Sequence, residues 1–63
     1  MSFHATIVRV DQPPDLHGDS PATVTVISTG ERMALERGDV SWSSWVIMSA
    51  APAGSRIDIL VRK

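Results

Sequence analysis

The clearest alternation of polar and apolar positions lies in residues 22–29, ATVTVIST, where Val24 and Val26 alternate with Thr23 and Thr25. A period of two puts the valines on one face of a strand and the threonines on the other, so the segment predicts a half-buried β-strand. Ile27 breaks the alternation and is available for a second apolar contact, and Gly30 then ends the strand at a turn. Residues 56–62, RIDILVR, repeat the pattern, with Ile57, Ile59 and Val61 pointing one way and Arg56, Asp58, Leu60 and Arg62 the other. Residues 3–10, FHATIVRV, are rich in β-branched side chains and predict a third strand. Its phase is open, because Phe3, Ala5 and Ile7 share one face while Val8 and Val10 share the other.

Two segments are more ambiguous. Residues 31–37, ERMALER, contain good helix formers but are too short for an independent helix. With turn signals on both sides, a short strand with Met33 and Leu35 inward fits the antiparallel context better than a single helical turn. Residues 40–49, VSWSSWVIMS, start with clean alternation and end in Trp45-Val46-Ile47-Met48, apolar on both sides. This predicts a strand covered on both faces. The connections are a long loop over 11–21, with three prolines, one glycine and three aspartates, and a small-residue loop over 50–55. The resulting expectation is an all-β domain of about five antiparallel strands, closed as a small partly open barrel or as a compact two-sheet roll.

Length sharpens that picture. At 63 residues the chain has room for one domain, spanning 1–63. A domain of this size buries only about 60% of the surface that its unfolded chain exposes, so small domains commonly gain stability from disulfides, a metal or a partner subunit. The absence of cysteine removes the first. With six basic and seven acidic residues, the net charge of −1 gives no electrostatic pull toward nucleic acid or anionic membrane. The 43% hydrophobic content is that of a globular protein, and no apolar run approaches the roughly 20 residues of a membrane span. The N-terminal residues carry neither a basic stretch nor a long apolar one, so the expected location is the cytoplasm.

Candidate chemistry is sparse. His4 and His17, with Asp15 and Asp19 beside the latter, lack the close spacing of a zinc motif, so no metal or other cofactor is expected. The serines match no nucleophile elbow or triad, and the carboxylates fall mainly in turns, so no catalytic residue is assigned and the expected function is non-enzymatic. A nucleic-acid surface would need Arg9, Arg56 and Arg62 to meet on one sheet face, with Phe3, Trp42 or Trp45 stacking bases.

The tryptophan pair says most about function. Residues three apart on a strand point to opposite faces, so only one of Trp42 and Trp45 fills the main core. Trp42 shares its face with Val40, Val46 and Met48 and is assigned inward. Trp45 lies with Ile47 among serines, and Leu60 sits on the polar face of the last strand. Trp45, Ile47 and Leu60 are therefore the expected protein-binding surface, unless the sheet folds over and buries Trp45 too. The 11–21 loop is a second candidate. The last strand carries protective charges at its edge, whereas the first carries fewer, which leaves it open to pairing with a second copy.

The stretch GERMALERGDVSWSSWVIMSA, running from a glycine turn through ALERGD into an apolar segment, resembles small β-rich accessory proteins of bacteriophages and prophages. The resemblance covers the C-terminal half and rests on a rhythm of turns and strands. It implies a virion-associated or host-directed protein of all-β fold, located in the host cytoplasm or the virion, and assigns no functional residue. The functional expectation is a protein–protein interaction module that self-associates or binds another protein; the alternative is a small β-barrel binding single-stranded nucleic acid.

Overall fold

A computed structural model describes residues 2–63. The chain forms β1 (His4–Gln12), β2 (Ala22–Val26), β3 (Arg32–Leu35), a single 3-10 turn (Arg37–Asp39), α1 (Trp42–Ala50) and β4 (Arg56–Val61). The strands make one open antiparallel sheet in the order β3-β2-β1-β4. In register, Val8 faces Val26 and Ile57, Val10 faces Val24, and Val24 faces Met33. These cross-strand rows put the apolar set of every strand on one face, which settles the phase of β1: Val8 and Val10 point inward, while Ala5 and Ile7 point outward.

The fold is β-rich, but it has four strands where five were expected, and it is an open sheet with a helix, neither a barrel nor a two-sheet roll. The difference lies in residues 40–49. Val40 and Ser41 stay extended, Val40 bridging Val61, and Trp42–Ala50 is helical. Ser41 is the N-cap, its Oγ accepting the Ser44 N–H at 3.2 Å, and this cap satisfies one of the donors that a helix start leaves open. Pro52, which cannot continue a helix, follows the C-cap Ala51. Serines that read as the polar half of a strand are thus a cap (Ser41), an exposed helix residue (Ser43) and a buried one (Ser44). The 31–37 segment forms the short strand, with Leu35 buried and Met33 half-buried, and the single helical turn that follows shares only Arg37 with it.

One core fills the space between sheet and helix. Val8, Val10, Ala22, Val24, Leu35, Ile59 and Val61 come from the strands, and Val40, Trp45 and Met48 cover them. The segment after β3 crosses this face to reach the outer edge of β4. There Ser41 N–H donates to Leu60 O at 3.1 Å, Leu60 N–H donates to the Ser44 hydroxyl at 2.8 Å, and Arg62 N–H donates to Asp39 O at 2.9 Å. From that edge α1 runs back over the sheet. The following turn returns to β1, where Gly54 N–H donates to Val10 O at 2.6 Å, and Gly54 takes a φ of 88° that favours glycine. Among the described residues no helix is long and apolar enough to cross a membrane.

Candidate functional site

Helix α1 presents two different faces. Ser44, Trp45 and Met48 point into the core. Trp42, Val46 and Ile47 point to solvent, with Trp42 55% and Ile47 48% exposed. Trp42 and Val46 are four apart and therefore stack on one side of the helix, with Ile47 beside them. Residues 41–55 include no ionisable side chain, so this face has no charge of its own. An apolar helix face is normally buried, and this one is not.

The two tryptophans exchange the places expected of them. Trp45, expected at the surface, is 1% exposed and is the largest fully buried side chain. Its indole N–H donates to Leu16 O at 3.2 Å, and the Arg37 guanidinium stands 6.0 Å from its ring centroid. Arg37 also donates to Gly18 O at 2.6 Å. Trp45 is therefore the post on which the 11–21 loop is hung, with Leu16 packed against the core and Pro14 buried. Trp42, expected inward, is exposed. A helix turns by 100° per residue, so residues that a strand sends to opposite faces can sit on adjoining ones.

The three residues Trp45, Ile47 and Leu60 are not brought together. Ile47 is on the solvent side of the helix, and Leu60 is on the opposite, uncovered face of the sheet, directly across from Ala5. That outer face has two halves. Phe3, Ala5, Ile7 and Leu60 make an apolar half, with the Arg62 guanidinium 5.2 Å from the Phe3 ring centroid. The other half contains one row across the whole sheet: Arg56, Arg9, Thr25 and Arg32.

Arg9 and Arg56 do meet, as the nucleic-acid reading requires, but Arg62 lies at the far end of β4 with the only aromatic of this face. An acid also stands inside the row. Asp11 accepts from Arg9 Nε at 2.8 Å and from the Thr25 hydroxyl at 2.5 Å, and lies 3.7 Å from Arg32. The Thr25 hydrogen bond, then that of Arg9, hold the Asp11 carboxyl below its ordinary value. Asp11 thus engages two of the three arginines.

Where β1 extends beyond β2, the sheet has a notch opening into a cleft of about 620 Å³, lined by Thr6, Val8, Val26 and Met33 with His4 and Lys63 at its side. Sequence reasoning missed both Trp42 and this notch. The cap pattern around Ser41 was the available signal for the first, while the second depends on how far two strands pair. Comparison with protein-family models, with curated proteins and with solved structures finds no match to this chain, so the resemblance to bacteriophage accessory proteins rests on the sequence alone.

Proposed function

We propose that this domain is a non-enzymatic protein-interaction module that docks a protein partner on the outer face of α1. The observation supporting this is the exposure of Trp42, Val46 and Ile47 together on a helix without charges. Scattered apolar side chains are ordinary on a surface, but a contiguous group centred on tryptophan has the composition of an interface anchor. The core beneath holds the helix firmly: Trp45 and Met48 are fully buried, and the Ser41–Ser44 pair ties its start to β4. Such a platform binds with little ordering cost.

The test is affinity capture with matched variants. Trp42→Ser and Ile47→Ser remove apolar surface without touching the core, and Ile7→Ser does the same on the opposite face. The expected result is a protein retained by the wild type and by Ile7→Ser but lost from both helix variants. An identical set of captured proteins for all four would refute the reading.

The row of Arg56, Arg9 and Arg32 favours a second reading, single-stranded nucleic acid on the open sheet face. It is the weaker one, because Asp11 already engages Arg9 and Arg32, and Phe3 lies away from the row. Binding that falls steeply with added salt would support it over the helix reading.

A further inference from the structure

A sheet with one helix on it has one covered face and one bare face. Here α1 and Val40 cover the face of Val8, Val24 and Ile59, and the Cα atoms fill a slab of 29 × 28 × 15 Å. The opposite broad face has no second layer among the described residues. On it Phe3, Ile7 and Leu60 are 40%, 53% and 42% exposed. A sheet face with an apolar centre is normally buried against another layer, as in a sandwich.

The side chains of this face form rows across β4 and β1. Asp58 lies beside Ile7, Leu60 beside Ala5, and Arg62 over Phe3. Successive rows are two residues apart, about 7 Å. The Leu60–Ala5 row is the centre of the pattern on both strands. On β4 an acid and a base stand at equal distances on either side of Leu60, and on β1 two apolar side chains stand at equal distances on either side of Ala5. Neither charge has an ionic partner among the described residues, and Arg62 donates only from Nε, to Gly38 O at 2.9 Å.

We infer that this face binds a second copy of the chain, the two sheets packed face to face about a twofold axis that lies between them along the Leu60–Ala5 row. The axis sets β4 over β4 and β1 over β1, antiparallel. It brings Asp58 of each copy against Arg62 of the other, Ile7 against Phe3, and Leu60 against Leu60, so each contact is an opposite-charge or an apolar pair. Two strands that are self-complementary about one row select a second copy over an unrelated protein. Packed sheets stand about 10 Å apart and cross at about 30°, so a residue about 7 Å from the axis moves sideways by about 3.5 Å, which an arginine side chain can follow. The row of Arg56, Arg9 and Arg32 lies one row beyond this overlap. Only side chains take part, so the Ile27 N–H bond to Ile7 O and the pairing of every strand are kept. Three rows on two strands make a small interface, of the weak and concentration-dependent kind. The contact is on the opposite side of the molecule from the outer face of α1 and does not rest on the function proposed for that face.

Sedimentation equilibrium from micromolar concentration up to about 1 mM tests the inference. The wild type is expected to rise from 6.8 kDa toward twice that mass. Asp58→Arg and Arg62→Asp each bring like charges together on both sides of the axis, and each alone is expected to weaken the dimer at least about tenfold. Mixed in equal amounts, they face two arginines of one chain with two aspartates of the other, and the dimer mass is expected to return. Damage to the fold cannot produce recovery on mixing, and far-ultraviolet circular dichroism checks that each variant is folded. If Arg62→Asp does not fold, Leu60→Lys, which sets two ammonium groups on the axis, is expected to hold the monomer mass. Trp42→Ser is expected to leave the dimer intact, and capture of a partner through α1 by the Asp58→Arg monomer would separate the two surfaces. A wild type that stays at 6.8 kDa throughout overturns the inference, as does a mixture of the folded charge variants no heavier than its parts, a dimer indifferent to Leu60→Lys, or one that Trp42→Ser abolishes.

Discussion

Trp45 is the position where the structure makes its strongest energetic demand. Its side chain is 1% exposed, and truncation to alanine removes a buried aromatic body together with the indole donor to Leu16 O. Trp→Ala changes in cores cost about 3–5 kcal/mol, from lost transfer energy and the cavity left behind. Marginal stability of about 0.05–0.15 kcal/mol per residue gives a 63-residue domain a total of about 3–9 kcal/mol. Trp45→Ala therefore removes much or all of the stability of the fold. Trp45→Phe keeps most of the volume, loses the hydrogen bond to the loop, and is expected to cost about 1–2 kcal/mol, within the measurable range. Trp42→Ala, on the exposed face, is expected to fall within about 0.5 kcal/mol of wild type. Urea unfolding followed by far-ultraviolet circular dichroism at one low protein concentration gives all three values, with association held constant. In a domain of this size each kcal/mol moves the melting temperature by about 4–8 °C, so the two alanine variants should be separated by tens of degrees. The reasoning fails if Trp42→Ala destabilises as much as Trp45→Ala.

Two further outcomes test the links that hold the helix and the loop in place. Ser44→Ala removes the acceptor of the Leu60 N–H and the partner of the Ser41 hydroxyl in a buried setting, and is expected to cost about 1–3 kcal/mol in urea unfolding. Ser43→Ala, on the exposed side of the same helix, should stay within about 0.5 kcal/mol, and equal losses for the two would refute the role given to Ser44. Asp11 carries the pH dependence. Its folded pKa lies below the unfolded value of about 3.9, so its contribution is fully present above that value and is lost as pH falls through the lower, folded one. The stability gap between wild type and Asp11→Asn, followed by urea unfolding from neutral pH into acid, should therefore be steady at neutral pH and close below about pH 4; a gap independent of pH would show that the Thr25 and Arg9 contacts do not stabilise the charged form.

What can be read in the chain and what cannot divide along a physical line. Val24 and Val26 against Thr23 and Thr25, and Ile57, Ile59 and Val61 against Arg56 and Asp58, specify β2, β4 and their inward faces, because a strict period of two is compatible with only one backbone and one phase. The short strand around Met33 and Leu35 follows from its flanking turn residues in the same local way. The segment from Trp42 to Met48 could not be settled locally. Its run of apolar residues has no period to read, so strand and helix both accommodate it. The choice is made by tertiary demands: a sheet with one apolar face needs a cover, Ser41 can cap a helix beside the open edge of β4, and the helix then turns Trp45 inward and Trp42 outward. The surfaces are decided at the same level. The row of Arg9, Arg56 and Arg32 and the notch where β1 extends beyond β2 exist only because strands distant in sequence pair in one register and stop at one residue, and no property of FHATI or RIDILV taken alone says where its neighbour will end.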